Sequence, residues 1–403
     1  MPGKIAHENG HLRVPDDPLV AVLYGDGIGP EVVTTALKVV DKAVDRAYGG
    51  ARRLHWREYS AGAEALRQEG DILPPTTLQA IREYGVALKG PMTTPVGQGY
   101  RSANVALRQQ LDLYANVRPV RYFPGVPSPL LRPELLDVVI FRENTEDVYA
   151  GVEYAAGSKE AVQLIETVRG WGSNVREGSA VGLKPISEFA SKRLIRRAIE
   201  YSLAKGRRKI TLVHKGNIMK FTEGAFRNWG YELARELLGD RLATPEEADA
   251  DHNPPPGKIL VQDKIADAMF QDLIRRPQSH EVIVTTNLNG DYLSDAAAAQ
   301  VGGLGMAPGA NFGDGVAVFE AVHGSAPQYA GQDKVNPTSV ILSGAMMLDY
   351  FGWPEAARLI ENAVEETIMR KIVTYDLAGV MDNATLVSCS GFGKMVEDAM
   401  VRG

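Results

Sequence analysis

Seven short apolar runs alternate along this chain with stretches whose apolar residues recur at helical spacing. That alternation constrains the fold more tightly than any other feature. The runs are PLVAVLY (18–24), GVALKG (85–90), DVVIF (137–141), KITLVH (209–214), KILVQ (258–262), EVIVTT (281–286) and GVAVFEAV (315–322). Each is long enough for a buried strand and too short to span a membrane. Between them, PEVVTTALKVVDKAVDRAY (30–48), ISEFASKRLIRRAIEYSLAK (186–205) and DKIADAMFQDLIRR (263–276) read as helices, with Pro30 suited to a first helical turn. Alternating strands and helices predict an α/β fold with a largely parallel sheet. Residues 337–403 read as mainly helical, and loops are expected at 91–102, 243–257 and 302–315. The glycine-rich, weakly periodic segment 147–187 is expected to form an arm or small sheet outside the main core.

The length, 403 residues, suggests two or three lobes. A net charge of −6 with acids and bases intermixed argues against a nucleic-acid partner. It leaves room for a small anionic substrate, because a local arginine cluster can outweigh a mildly negative whole. The single cysteine, Cys389, excludes an intramolecular disulfide and a thiolate zinc cluster, and fits a reducing compartment. The polar N-terminus carries no apolar signal segment, so a cytoplasmic location without a membrane partner is expected.

Four segments carry chemistry. In RSANVALRQQLDLYANVRPVRY and the following VIFREN, Arg108, Arg118 and Arg142 stand among residues that otherwise read as core. A buried guanidinium needs an anion and can grip a carboxylate bidentately. Three separate structural salt bridges and one shared polyanionic ligand both satisfy that need. In NLNGDYLSD, Asp291 and Asp295 share one helix face. They read either as a solvated acidic face or as ligands of Mg²⁺ or Mn²⁺, with Asp263 a candidate third. His214-Lys215-Gly216-Asn217 follows a strand, and Tyr149 stands in ENTEDVYAG. Lys215 and Tyr149 are candidate proton-transfer groups or ordinary polar residues. The loop His323-Gly324-Ser325-Ala326-Pro327, with Gln328, Tyr329 and Asn336 beyond it, could wrap a nucleotide. The turn Gly25-Asp26-Gly27-Ile28-Gly29 matches neither G-x-G-x-x-G nor a P-loop and reads as a tight strand-to-helix turn.

Taken together, YGDGIGPE, LKGPMTTPVG, RSANVALRQQLDLYANVRPVRY, VIFRENTEDVYAGVEY, LVHKGNIMKFTEGAF, NLNGDYLSDAAAAQVGGLGMAPGAN and FEAVHGSAPQYAGQDKVNP stand in one order over roughly residues 20–340. In this the chain resembles the β-decarboxylating dehydrogenases, and within them the bacterial-type homodimeric isocitrate dehydrogenases. The resemblance implies an isopropylmalate/isocitrate dehydrogenase-like α/β fold, distinct from the Rossmann type. It implies a large domain from 1–113 and 302–403, a small domain from 114–146 and 188–301, and a clasp from 147–187 that interlocks two subunits.

Carried over residue by residue, the resemblance implies that Ser102, Asn104, Arg108, Arg118 and Arg142 bind isocitrate. Asp291 and Asp295 ligate Mg²⁺ or Mn²⁺, with Asp263 supplied by the neighbouring subunit. Lys215, also from the neighbour, and Tyr149 transfer protons. Thr93 and Asn217 line the nicotinamide side, and His323, Gly324, Ala326 and Asn336 surround the adenosine. Gln328, Tyr329 and Tyr375 face the adenosine ribose. Here the match departs from the NADP-dependent relatives, because Gln328 and Gly379 stand where two basic residues are expected. No acid stands at Gln328, as NAD-dependent relatives would have, so the balance favours NADP over NAD. The competing readings are a sister enzyme acting on isopropylmalate, homoisocitrate or tartrate, and a catalytically dead regulatory subunit. The polar Ser102 and Asn104 speak against an apolar substrate arm.

Overall fold

The computed structural model describes residues 2–8, 11–93 and 102–402. Every apolar run becomes a strand, and with four further strands they form one 11-stranded sheet. Its order is Leu242–Ala243, Ile259–Ile265, Lys209–His214, Val282–Thr285, Asp137–Glu143, Ala115–Arg121, Pro308–Phe312, Ala317–Ala321, Val86–Lys89, Leu19–Leu23 and His55–Glu58. The two flanks are parallel, as expected. Antiparallel pairing is confined to the middle, where Ala115–Arg121 pairs with both Asp137–Glu143 and Pro308–Phe312, and the latter pairs with Ala317–Ala321. Pro119 is tolerated in a central strand because the register shared with Pro308–Phe312 ends at Val117. Beyond it the strand is an edge on that side, where a missing N–H leaves no partner unsatisfied.

Both ends of the chain build one core. Helices Gly29–Tyr48, Thr338–Tyr350, Pro354–Met369 and Cys389–Arg402 pack there against Leu19–Leu23, Val86–Lys89 and Ala317–Ala321. Thr338–Tyr350 is apolar on nearly every side, the pattern of a helix surrounded by protein. A second core lies under helices Glu188–Lys205 and Glu223–Leu238. The helix expected at 263–276 begins only at Ala266. Parallel pairing of Asp263 with Leu212 and of Ile265 with His214 keeps those residues in the strand. Within 147–187, strands Glu153–Tyr154 and Val181–Gly182 form a separate two-stranded sheet beside helix Lys159–Gly170.

Register puts the chemistry on one face. Residues directly opposite across a strand pair share a face, and so do residues two apart along a strand. Arg142 lies opposite Asn116, Arg118 opposite Ile140, Asn116 opposite Asn311, Gly309 opposite Glu320, and Glu320 opposite Lys89. Lys89, Glu320, Asn311, Asn116, Arg118 and Arg142 therefore form a polar row across the centre of a sheet that is otherwise apolar.

Candidate active site

The three arginines meet. Arg118 and Arg142 rise from neighbouring strands, and Arg108 comes from helix Ala103–Gln110. Arg142 is almost wholly buried; its Nε and Nη2 donate to Asn287 Oδ1 at 2.9 and 2.7 Å, and its Nη1 pairs with Asp291. Arg118 donates to Ser294 Oγ at 2.6 Å and to Asp295 at 3.1 Å. Arg108 donates to Glu320 at 2.8 Å. Burial, then repulsion from Arg118 and Arg108, lowers the Arg142 pKa to about 10. Such crowding of cations is unfavourable without anions between them.

Helix Asn287–Ala299 supplies those anions. Its Asp291 and Asp295 share a face, as their spacing implies. Burial alone would raise Asp291, but Arg142, the Tyr149 hydroxyl and Arg118 outweigh it and hold the carboxyl below its ordinary value. Burial raises Asp295 against the pull of Arg118. Gly290 is what lets Arg142 lie along this helix, since a Cβ there would stand 2.6 Å from Arg142 Cγ. Tyr149 donates to Asp291 and lies under the Arg142 guanidinium. Burial, then that bond to a carboxylate, raises the Tyr149 pKa and keeps its proton on. Ser102 stands at the N-cap position of the Arg108 helix and Asn104 in its first turn, both half-buried. Among the described residues, nothing hydrogen-bonds the buried Asn104 Oδ1, Arg108 Nε and Arg118 Nε.

Lys215 and Asp263 form a second group, apart from the first. Asp263 accepts from Tyr231 at 2.8 Å and pairs with His214 at 3.0 Å and Arg227 at 2.9 Å. Burial would raise its pKa, and those three partners together drive it well below the ordinary value. Lys215 pairs with Asp267, and Asn217 is exposed two residues on. Among the described residues, no three acidic, histidine or cysteine side chains converge as a metal site. The sequence candidates Asp263, Asp291 and Asp295 thus do not come together within one chain.

The third group is the 323–336 loop. Thr93 Oγ1 and Ser325 Oγ are 2.7 Å apart, and Ile28 donates its N–H to the Ser325 carbonyl at 2.9 Å. Asp26 accepts from the Thr93 and Ala63 N–H groups. A side chain at Gly27, which has φ +60°, would collide with the Ser325 carbonyl. The glycine turn, read from sequence as a tight strand-to-helix turn, is also a structural tie for this loop. His323 bonds the Gly324 carbonyl, Ala326 is left-handed at φ 35°, and Gln328 is exposed. Asn336 donates to Asp376 at 3.0 Å, and the Tyr329 and Tyr375 rings lie 5.5 Å apart.

Several residues that build the site escaped sequence reading. Glu320 joins Lys89, Arg108 and Asn311. Fully buried Glu223 receives the Lys215 N–H, the Thr286 hydroxyl, Asn289 and Lys184. Asp147, at φ 69°, binds Lys184 and the Leu288 N–H, and so anchors the turn that carries Tyr149. For Glu320 and Lys89 a signal existed: each is a charge inside an apolar run. For Glu223, Asp147 and Lys184 local pattern offered none.

A family model described as isocitrate/isopropylmalate dehydrogenase matches residues 19–396. The chain is 56% identical over 377 residues to the isocitrate dehydrogenase [NADP] of Archaeoglobus fulgidus, covering 93% of this chain and 91% of the relative. It is 54% identical to that of Pseudomonas aeruginosa over 397 residues, covering 97% and 94%. Among solved structures, isocitrate dehydrogenase from Methylococcus capsulatus superposes with TM-score 0.80 at 38% identity, covering 95% of this chain and 99% of that one. The matched stretch contains the arginine cluster, the acidic helix and the 323–336 loop, and on these findings the chain belongs to the isocitrate/isopropylmalate dehydrogenase family.

Proposed function

We propose that this chain oxidatively decarboxylates isocitrate to 2-oxoglutarate and CO₂ with reduction of NADP, dependent on Mg²⁺ or Mn²⁺, as a cytoplasmic homodimer whose sites are shared between subunits. One observation carries the reading. Three arginines crowd one spot, where Arg108 Nε, Arg118 Nε and Asn104 Oδ1 are buried without partners among the described residues. An unmet buried donor or acceptor costs about 1–3 kcal/mol, so a protein that keeps several at one spot is matched to a polar ligand. Three carboxylates on one small molecule answer three guanidiniums, with Ser102 and Asn104 beside them.

Asp291 and Asp295 are hard oxygen donors on one helix turn, a fit for Mg²⁺ or Mn²⁺ that leaves room for substrate oxygens and for Asp263 of a second copy. When bound, the cation polarises the substrate's hydroxyl and carboxylate oxygens, and the nicotinamide accepts the hydride. The chain's own residues do the rest. Arg108, Arg118 and Arg142 hold the carboxylates. Lys215 of the second copy, with Asp263 beside it, takes the hydroxyl proton as hydride leaves the same carbon. The resulting ketone is β to a carboxylate and loses CO₂ to an enolate. Tyr149, protonated because its pKa is raised, donates its proton to the enolate carbon.

A large domain from 1–113 and 302–403, a small one from 114–146 and 188–301, and the 147–187 clasp are consistent with the separate cores. Phe221 at 93% and Trp171 at 78% exposure suit a face covered by another copy. Thr93 and Asn217 would flank the nicotinamide, and His323, Gly324, Ala326 and Asn336 the adenosine. Gln328, Tyr329 and Tyr375 would face the ribose phosphate.

Initial rates with Mg²⁺ and matched nicotinamides test the reading. Isocitrate should be turned over far faster than isopropylmalate, homoisocitrate or tartrate, and NADP used in preference to NAD. A reversed substrate ranking would overturn the assignment.

A further inference from the structure

The proposed NADP site poses an electrostatic problem, because a ribose 2′-phosphate brings about two negative charges to a loop where Gln328 and Gly379 offer none. The structure holds a cation nearby that the motifs did not assign. The Lys334 ammonium stands 4.7 Å from the Tyr329 ring centroid and 4.7 Å from that of Tyr375. The two rings tilt at 51° to each other, and the ammonium stands over both.

Three features make it available. Among the described residues no carboxylate lies within ion-pair distance of it; the cation–π contacts leave its N–H groups uncommitted to an acceptor. The acids that adjoin Lys334 and Tyr375 in the chain are otherwise engaged. Asp333 accepts from the Ser390 N–H and hydroxyl, and Asp376 from Asn336 and the Thr374 hydroxyl. Lys334 is also half-buried, which reduces the screening of its charge.

We propose that Lys334 is the specificity-determining cation of this site: held over the Tyr329 and Tyr375 rings, it receives the 2′-phosphate of the nucleotide and so selects NADP over NAD. The proposal rests on the cofactor reading above, and the test separates the two. Binding of 2′,5′-ADP and of 5′-ADP would be measured by calorimetry on wild type, Lys334→Met and Lys334→Arg. Rates with NADP and NAD would be measured alongside. Wild type should bind 2′,5′-ADP more tightly than 5′-ADP. Lys334→Met should weaken 2′,5′-ADP about tenfold or more, the worth of one charge-assisted hydrogen bond, and leave 5′-ADP within about twofold. Lys334→Arg should retain most of the preference. Equal weakening of both probes would mean that Lys334 only positions the tyrosines. Unchanged binding of 2′,5′-ADP in Lys334→Met would overturn the role while leaving the NADP reading intact. A wild type with no preference for 2′,5′-ADP would overturn both.

Discussion

Glu320 sits in a strand that is otherwise apolar, and its carboxylate is shared by Lys89 at 2.7 Å, Arg108 at 2.8 Å and Asn311 at 2.6 Å. Burial would raise its pKa, but Lys89 and then Arg108 hold it well below the ordinary value. Burial in turn lowers Lys89. The group therefore stands or falls together. Glu320→Gln should cost about 3–5 kcal/mol, the usual loss when one partner of a buried charge set is removed. It should also raise the isocitrate KM, because Arg108 loses its anchor. A urea titration with an unchanged midpoint would contradict this. Motif reading reached Arg108, Arg118, Arg142, Asp291, Asp295 and Tyr149, which meet in the structure. It had no way to see that Glu320 orients Arg108, since that bond spans 212 residues of chain.

The strands with continuous apolar runs were legible, because burial on both faces of a parallel sheet demands such runs. Ala115–Arg121 and Pro308–Phe312 were not, because their polar residues serve the site and the asparagine ladder Asn116–Asn311–Asn144. Another polar link ties Lys209–His214 to its neighbours. Thr211, His280 and Asp272 form a hydroxyl–imidazole–carboxylate row with all three side chains buried, which gives it no route to a substrate. Burial, against the pull of Asp272, lowers His280 from 6.5 to about 4. As pH falls below 6.5, the unfolded chain takes up a proton that the folded chain refuses. Stability should therefore drop between pH 6.5 and about 4, by about 3 kcal/mol in all, and level off below. His280→Asn should remove that part of the pH dependence when unfolding is compared at about pH 7 and about pH 5. An identical slope in the variant would show that His280 takes up its proton equally in the folded and the unfolded chain.

Across the molecule, residues from both chain ends pack into one core, which periodicity alone does not foretell. The structure adds a division of labour. The arginine cradle, the acidic helix and Tyr149 are one group, whereas Lys215 and Asp263 are bound to partners of their own. If two copies complete each other, one site needs Tyr149 from one chain and Lys215 from the other. Complementation between two inactive variants tests this sharing. Tyr149→Phe and Lys215→Met would each be nearly inactive as purified proteins. Co-expressed in equal amounts with different tags, their mixed dimers carry one doubly altered site and one intact site. The unfractionated mixture should regain about a quarter of wild-type activity, and the isolated mixed dimer about half. Mixed dimers as inactive as either parent would contradict a shared site.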